Sequence, residues 1–326
     1  MKTLLSGILI LLVVSVIAST NSAQEQCGTL DVPIGSLPYP NNFFGSYYKP
    51  HRTDLNNGNA SPPEASLHML FVFIQFPDEI SQSDEWPLDS APVFMNKFLS
   101  EEKNEQGNFW DRYPDSSLSD YYQEVSRGAF HVTGQSRHMV VSRSLSFYRD
   151  TLNGHITLMA EIYNRLKMDS TIRWTKLDRW SRNNLTNNYV YSKDKYLDMM
   201  GIFVRHDYIT PNYFGYSGAV PLGPPNNFIL KLLGSDTIRI SEERSDKGSG
   251  FWVVGSKSQG PLNYAKAFGV TIHEYGHYLF ANNHSSSGIM TSNDGISIND
   301  LFMSGFEKYK LGYLADSIVD YGTGSS

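Results

Sequence analysis

A single cysteine, Cys27, stands in this chain of 326 residues, so no intramolecular disulfide can staple the fold. Stability has to come from packing and from any metal the chain binds. The thiol itself reads as an exposed or intermolecular group, or else as a ligand that reaches back to a bound metal. Basic charge is also scarce: Lys and Arg number 27 against 33 Asp and Glu, a formal net charge of -6. The basic residues are scattered, so the chain lacks the patch that tracks phosphates, and nucleic acid is excluded as an expected partner. Beyond the first residues no apolar run approaches the about 20 residues of a membrane span. Internal repeats and low-complexity tracts are missing as well. What is present is 40% hydrophobic and 13% aromatic, enough to bury a sizeable core and to exclude a disordered chain.

The N-terminus carries Lys2, an apolar run from Leu4 to Ala18, and the small polar stretch Ser19 to Ala23. That order of charge, short hydrophobic core and small residues reads as a secretory signal peptide over 1–23. The mature protein is then expected to be secreted, extracellular and free of the membrane. Residues 24–65, with Pro33, Pro38, Pro40, Pro50, Pro62 and Pro63, show little hydrophobic period and read as an irregular N-terminal or pro-segment. A single domain is expected over 66–326. Asn59, Asn184 and Asn283 match glycosylation acceptor patterns, which matter only in a host that modifies them.

Within 66–326 several elements are legible. The run MLFVFIQF from Met69 to Phe76 predicts a strand covered on both faces and central in the fold. Leu118, Tyr121, Tyr122 and Val125 recur at helical spacing, Ser117 and Asp120 stand in the relation of a capping box, and Gly128 marks the exit. Residues from Ala129 to Val141 alternate as a strand or hairpin. His155 to Met168 predicts an amphipathic helix with Met159, Ile162 and Leu166 inward, and Leu197 to Val204 a second buried strand. The Pro- and Gly-rich interval from Thr210 to Gly260 predicts short strands and long loops. A helix follows from Ala265 to Ala281, then a loop from Asn282 to Gly295, then a closing helix from Ser297 to about Leu311.

Chemistry concentrates in the helix from Ala265. His273-Glu274-Tyr275-Gly276-His277 matches the His-Glu-x-x-His pattern, in which two imidazoles one turn apart share a helix face and grip one cation. Zinc favours nitrogen ligands and keeps one position open in enzymes, so a third protein ligand is required. Asn282 and Asn283 tolerate the left-handed backbone that turns a chain back on itself. His284 is then the natural third ligand, with Asn283 or a distant Asp or Glu as alternatives. Glu274 is the expected general base, taking a proton from a water that the metal acidifies and later delivering it to a leaving amine. Met290 lies where a turn provides an apolar floor beneath the histidines, unless it is simply a core methionine. His51, His68, His131, His138, His155 and His206 have no partners at metal-ligand spacing and read as surface or core histidines.

The segments MLFVFIQFPDE, LSDYYQEVSRGAFHVTG, VTIHEYGHYLF and SGFEKYKLGYL, in that order, resemble secreted metallopeptidases of the immune inhibitor A family, within the metzincin-like zincins. The resemblance covers roughly residues 66 to 315. It implies an α+β catalytic domain with a twisted mixed sheet, packed helices, an active-site helix and a small C-terminal subdomain. It also implies one catalytic zinc, with His273 and His277 as ligands, Glu274 as the catalytic glutamate and Met290 as the methionine of the turn below the metal. Phe280-Ala281-Asn282-Asn283 departs from the family's Gly-Leu-Pro-Asp, which bears on the third ligand. The expected activity is zinc-dependent hydrolysis of peptide bonds in extracellular proteins. A degenerate zincin that only binds polypeptide, or a zinc amidase acting on small or cell-wall substrates, are the alternatives. Structural calcium has no recognisable ligand spacing here, and cleavage preference and oligomeric state have no readable signal.

Overall fold

The computed structural model describes residues 65–100, 109–152, 154–183, 188–205, 215–217, 228–233, 236–240, 250–254, 262–280, 288–290, 301–311 and 313. The proposed signal peptide, most of the proposed pro-segment with Cys27, and the acceptor sites Asn59, Asn184 and Asn283 lie outside them. Strand β1 (Ala65–Gln75) contains most of the long apolar run. Its side chains divide between two cores: Met69, Phe71 and Phe73 join one, and Leu70, Val72 and Ile74 the other. A period of two and an unbroken apolar run produce this division, since successive residues face opposite sides of a sheet.

The seven α-helices among the described residues are α1 (Met95–Phe98), α2 (Phe109–Arg112), α3 (Leu118–Val125), α4 (Leu145–Asp150), α5 (Gly154–Met168), α6 (Tyr264–Phe280) and α7 (Gly305–Lys310). With β1, strands β2 (Phe130–Val140), β5 (Met199–Val204), β9 (Gly250–Val254) and β6 (Gly215–Ser217) form a five-stranded sheet in the order β2-β1-β5-β9-β6. The pairs β1–β2, β1–β5 and β5–β9 are parallel, and β6 runs antiparallel to β9. Two antiparallel pairs lie outside this sheet, β3 (Trp180–Asn183) with β4 (Asn188–Tyr191), and β7 (Phe228–Leu233) with β8 (Asp236–Ile240). The architecture is α+β with a mixed sheet.

One sequence expectation is corrected by this topology. β1 is interior but not central; β5 holds the middle of the sheet. Burial on both faces suits any interior strand, and periodicity alone does not say which one. Of the two readings open for Ala129 to Val141, the strand is the one formed: Phe130–Val140 pairs with β1 from Ala65↔Phe130 to Gln75↔Val140. The interval from Thr210 to Gly260 does hold four short strands, β6 to β9, while its other residues lie outside the described ones.

Helices cover both sheet faces. On one, α5 buries Leu158, Met159, Ile162 and Leu166 against Leu70, Val72 and Ile202. On the other, α3 and α6 share a core with Met69, Phe71, Phe73 and Phe203, where the Phe73 and Phe203 rings stack with centroids 4.4 Å apart. The capping box predicted for α3 is present: the Ser117 hydroxyl accepts from the Asp120 amide at 3.0 Å, and the Asp120 carboxylate accepts from the Ser117 amide at 2.8 Å. Gly128 follows with φ of 79°, the left-handed conformation a glycine adopts at lowest cost. Replacing Ser117 by alanine is expected to lower stability by about 1–2 kcal/mol, seen as a lower urea midpoint at unchanged slope.

The closing helix is shorter than the predicted span from Ser297. Among the described residues only Gly305–Lys310 is α-helical, and Leu301 to Ser304 is not. Ser304 starts the helix through a second capping box, its hydroxyl accepting from the Glu307 amide at 3.2 Å and its own amide donating to Glu307 Oε2 at 2.6 Å. A Ser-x-x-Glu pattern outweighs weak amphipathic period upstream. No helix among the described residues is long and apolar enough to cross a membrane.

Candidate metal centre

The 17-residue helix α6 carries His273, Glu274 and His277 and packs against β6 and β9. Its start is held by the loop after β1. Glu85 accepts from the Tyr264 amide at 2.6 Å and from Asn263 Nδ2 at 2.9 Å, and the Ser83 hydroxyl donates to the Leu262 carbonyl at 2.8 Å. A carboxylate there satisfies an amide that has no partner inside the helix and meets the positive end of the helix dipole. The helix cannot slide without breaking these bonds, so the positions of the histidines along its axis are set at its first turn.

His273 is buried, 4% exposed, and Glu274 beside it is 1% exposed. The His273 Nδ1 atom lies 2.8 Å from the Ile289 carbonyl oxygen. A carbonyl only accepts, so Nδ1 carries the proton and donates. The neutral ring's lone pair is then on Nε2, the form in which an imidazole coordinates a metal. His277 follows one turn later on the same helix, where the 3.6-residue period brings positions four apart onto one face; its side chain is outside the described residues. His284 and Asn283, the two readings of the third ligand, are outside them as well. Among the described residues no group of three or more His, Cys, Asp and Glu side chains is arranged to hold a metal.

Below the helix runs the turn Gly288-Ile289-Met290. Ile289 and Met290 are both 2% exposed, and the Met290 sulfur lies so close to Gly276 that a Cβ on that glycine would collide with it. Gly276 immediately precedes the second histidine of the motif, and its missing side chain lets an apolar thioether pack directly against the helix there. Gly288 has φ of 82°, and a Cβ there would run into the Glu307 carboxylate. Glycine is required at this turn both by its backbone conformation and by that close approach.

Glu307, from α7, is the residue that sequence reasoning missed. It is 4% exposed, and besides capping its own helix it accepts from the amides of Met290 at 3.2 Å and Ile289 at 3.3 Å. Burial pushes its carboxyl above the ordinary carboxylate range, against the pull of the Ser304, Met290 and Ile289 donors. Tyrosines enclose the region. Tyr122 meets Tyr275 edge-on at 5.4 Å, and the Tyr121 hydroxyl donates to the Leu301 carbonyl at 2.9 Å. Burial drives the phenols of Tyr121, Tyr122 and Tyr313 well above their usual range, so they stay protonated. The signal for Glu307 was available in Ser304-Gly305-Phe306-Glu307; the contact with the turn was not.

The remaining described histidines are far from α6 in chain and role. His68 Nδ1 bonds the Thr133 hydroxyl at 2.9 Å across the β1–β2 pair, and burial lowers the pKa of His138, opposed by Asp89. His51 and His206 lie outside the described residues, as does the side chain of His155. An imidazole oriented through Nδ1, with a buried carboxylate next to it in sequence, is chemically able to offer one nitrogen to a divalent cation such as zinc. Set against known proteins, the chain matches no family model and no curated protein.

Proposed function

We propose that this chain is a secreted zinc-dependent endopeptidase with a zincin-like catalytic domain, akin to the immune inhibitor A family. The observation that carries the reading is the His273 ring, fixed through Nδ1 on the Ile289 carbonyl beside buried Glu274. His273, His277 and His284 hold the metal. A zinc ion bound by them supplies Lewis acidity, which acidifies water and polarises a scissile carbonyl. Glu274 accepts a proton from the attacking water at its carboxylate and returns it to the amine nitrogen that leaves when the peptide bond breaks. The buried setting of that carboxylate excludes competing bulk water from the transfer.

Polypeptide is the favoured substrate class because of what adjoins α6. β6 pairs with β9 alone among the described residues and packs against the motif helix. A strand at the end of a sheet can offer its main-chain groups to an extended peptide, which would lie across the site. The order of residues in 1–23 supports secretion, and the residues from 24 up to β1 are then an irregular N-terminal or pro-segment ahead of the catalytic domain.

The test is metal content together with activity. The purified mature chain is expected to hold about one zinc per molecule, to cleave casein or gelatin, to lose that activity with a chelator and to regain it on adding zinc. His277→Ala is expected to lose bound zinc, and His284→Ala to weaken it strongly. A chain without zinc at micromolar free metal overturns the reading. Zinc without proteolysis points to an amidase, and unchanged affinity in His284→Ala moves the third ligand elsewhere.

A further inference from the structure

We propose that Glu307 is a positioning residue for His273, acting across a single peptide group, so that the carboxylate, the Ile289–Met290 peptide and the imidazole form one hydrogen-bonded relay. The Met290 N–H and the Ile289 C=O belong to the same peptide unit. Its N–H donates to Glu307 Oε1 at 3.2 Å, and its C=O accepts from His273 Nδ1 at 2.8 Å. Both ends of one peptide dipole are therefore held, by an anion at the positive end and an imidazole N–H at the negative end. The anion strengthens the carbonyl as an acceptor, because bonds in a chain polarise one another where water is excluded. A firmer Nδ1–H bond fixes the tautomer with its lone pair on Nε2 and raises the basicity of that nitrogen.

A helix cap alone does not account for the arrangement. Capping α7 needs one carboxylate oxygen on the Ser304 amide, which Oε2 provides at 2.6 Å. Glu307 also accepts from the amides of Ile289 and Met290, in a segment that is distant in sequence, and does so at 4% exposure. Burying a carboxylate costs several kcal/mol unless donors compensate, so a surface cap would serve α7 at lower cost. Gly288 supports the same view: only an absent side chain lets the carboxylate reach both amides.

The inference rests on the zinc reading for its affinity measurement, while its second measurement needs no metal. In metal-free protein, nitrogen NMR of the His273 ring is expected to report the Nδ1–H tautomer. In Glu307→Gln the amide oxygen takes the place of Oε2, which accepts from two amides, so the NH2 faces the Met290 N–H and breaks the relay, and Gly288→Ala displaces the turn while leaving the carboxylate intact. Both are expected to mix the tautomers and to weaken zinc binding about 10–100-fold by chelator competition. Ser304→Ala, which removes the cap hydroxyl but leaves the Ile289 and Met290 amides on the carboxylate, is expected to lower the melting temperature with the tautomer unchanged and the affinity within threefold of wild type. If Glu307→Gln does not fold, the contrast between Gly288→Ala and Ser304→Ala decides the matter. An unchanged tautomer and an affinity within threefold of wild type in the relay variants overturn the proposal. A wild-type chain that binds no zinc overturns the peptidase reading instead, and the tautomer comparison still decides this one.

Discussion

Glu274→Gln is expected to keep about one zinc per chain and to lose three or more orders of magnitude in the rate of casein cleavage. The substitution preserves side-chain size and leaves an oxygen in place, so a residue that is 1% exposed should repack with little change. What it removes is the ability to accept and return a proton. General acid–base groups contribute about 10²–10⁴-fold, and three orders correspond to about 4 kcal/mol of barrier. Rate and metal content must be measured on the same preparation, since loss of both reports a damaged site and loss of rate alone reports the missing base. Equal rates in the two proteins would remove Glu274 from the mechanism. No cleavage by either, with zinc bound, favours the polypeptide-binding alternative.

The second large effect is on stability. Arg205, directly after β5, is wholly buried and pairs with Glu79, 3% exposed, at 2.6 Å. Its other donors reach the Ser81 carbonyl at 2.7 Å and the Trp86 carbonyl at 2.8 and 3.1 Å. Arg205→Met strands the Glu79 carboxylate and two carbonyls, at an expected cost of about 3–5 kcal/mol. For a domain of this size that lowers the melting temperature by about 10 °C. Much of the loss should return in the double variant Arg205→Met with Glu79→Leu, because an apolar pair leaves no uncompensated charge. A single variant within 1 kcal/mol of wild type would mean that water reaches the pair. The loop this arginine clasps also carries Ser83 and Glu85, which anchor the start of α6. Arg205→Met is therefore expected to loosen the site as well as the fold.

Legibility along the chain follows the range of the interaction concerned. α3 and its capping box, α5 with Met159, Ile162 and Leu166 inward, and the helix bearing His273 and Glu274 were readable from local period and local hydrogen bonds. The place of β1 beside β2 and not at the middle, and the pairing of β2 along its whole length, were unreadable because they depend on partners far along the chain. The start of α7 was misread although Ser304 and Glu307 signal it locally, since the pattern upstream mimicked a helix.

What the sequence determined by itself is which groups the candidate site offers: two imidazoles and a carboxylate at helical spacing, a property of neighbours along one backbone whose geometry repeats every 3.6 residues. Tertiary structure decided how that chemistry is held. The Ile289 carbonyl under His273, the Met290 sulfur against Gly276 and the Glu307 carboxylate behind the turn join three segments. Such contacts arise only when separate elements bury their apolar faces together, and no spacing along the chain encodes which polar groups then meet.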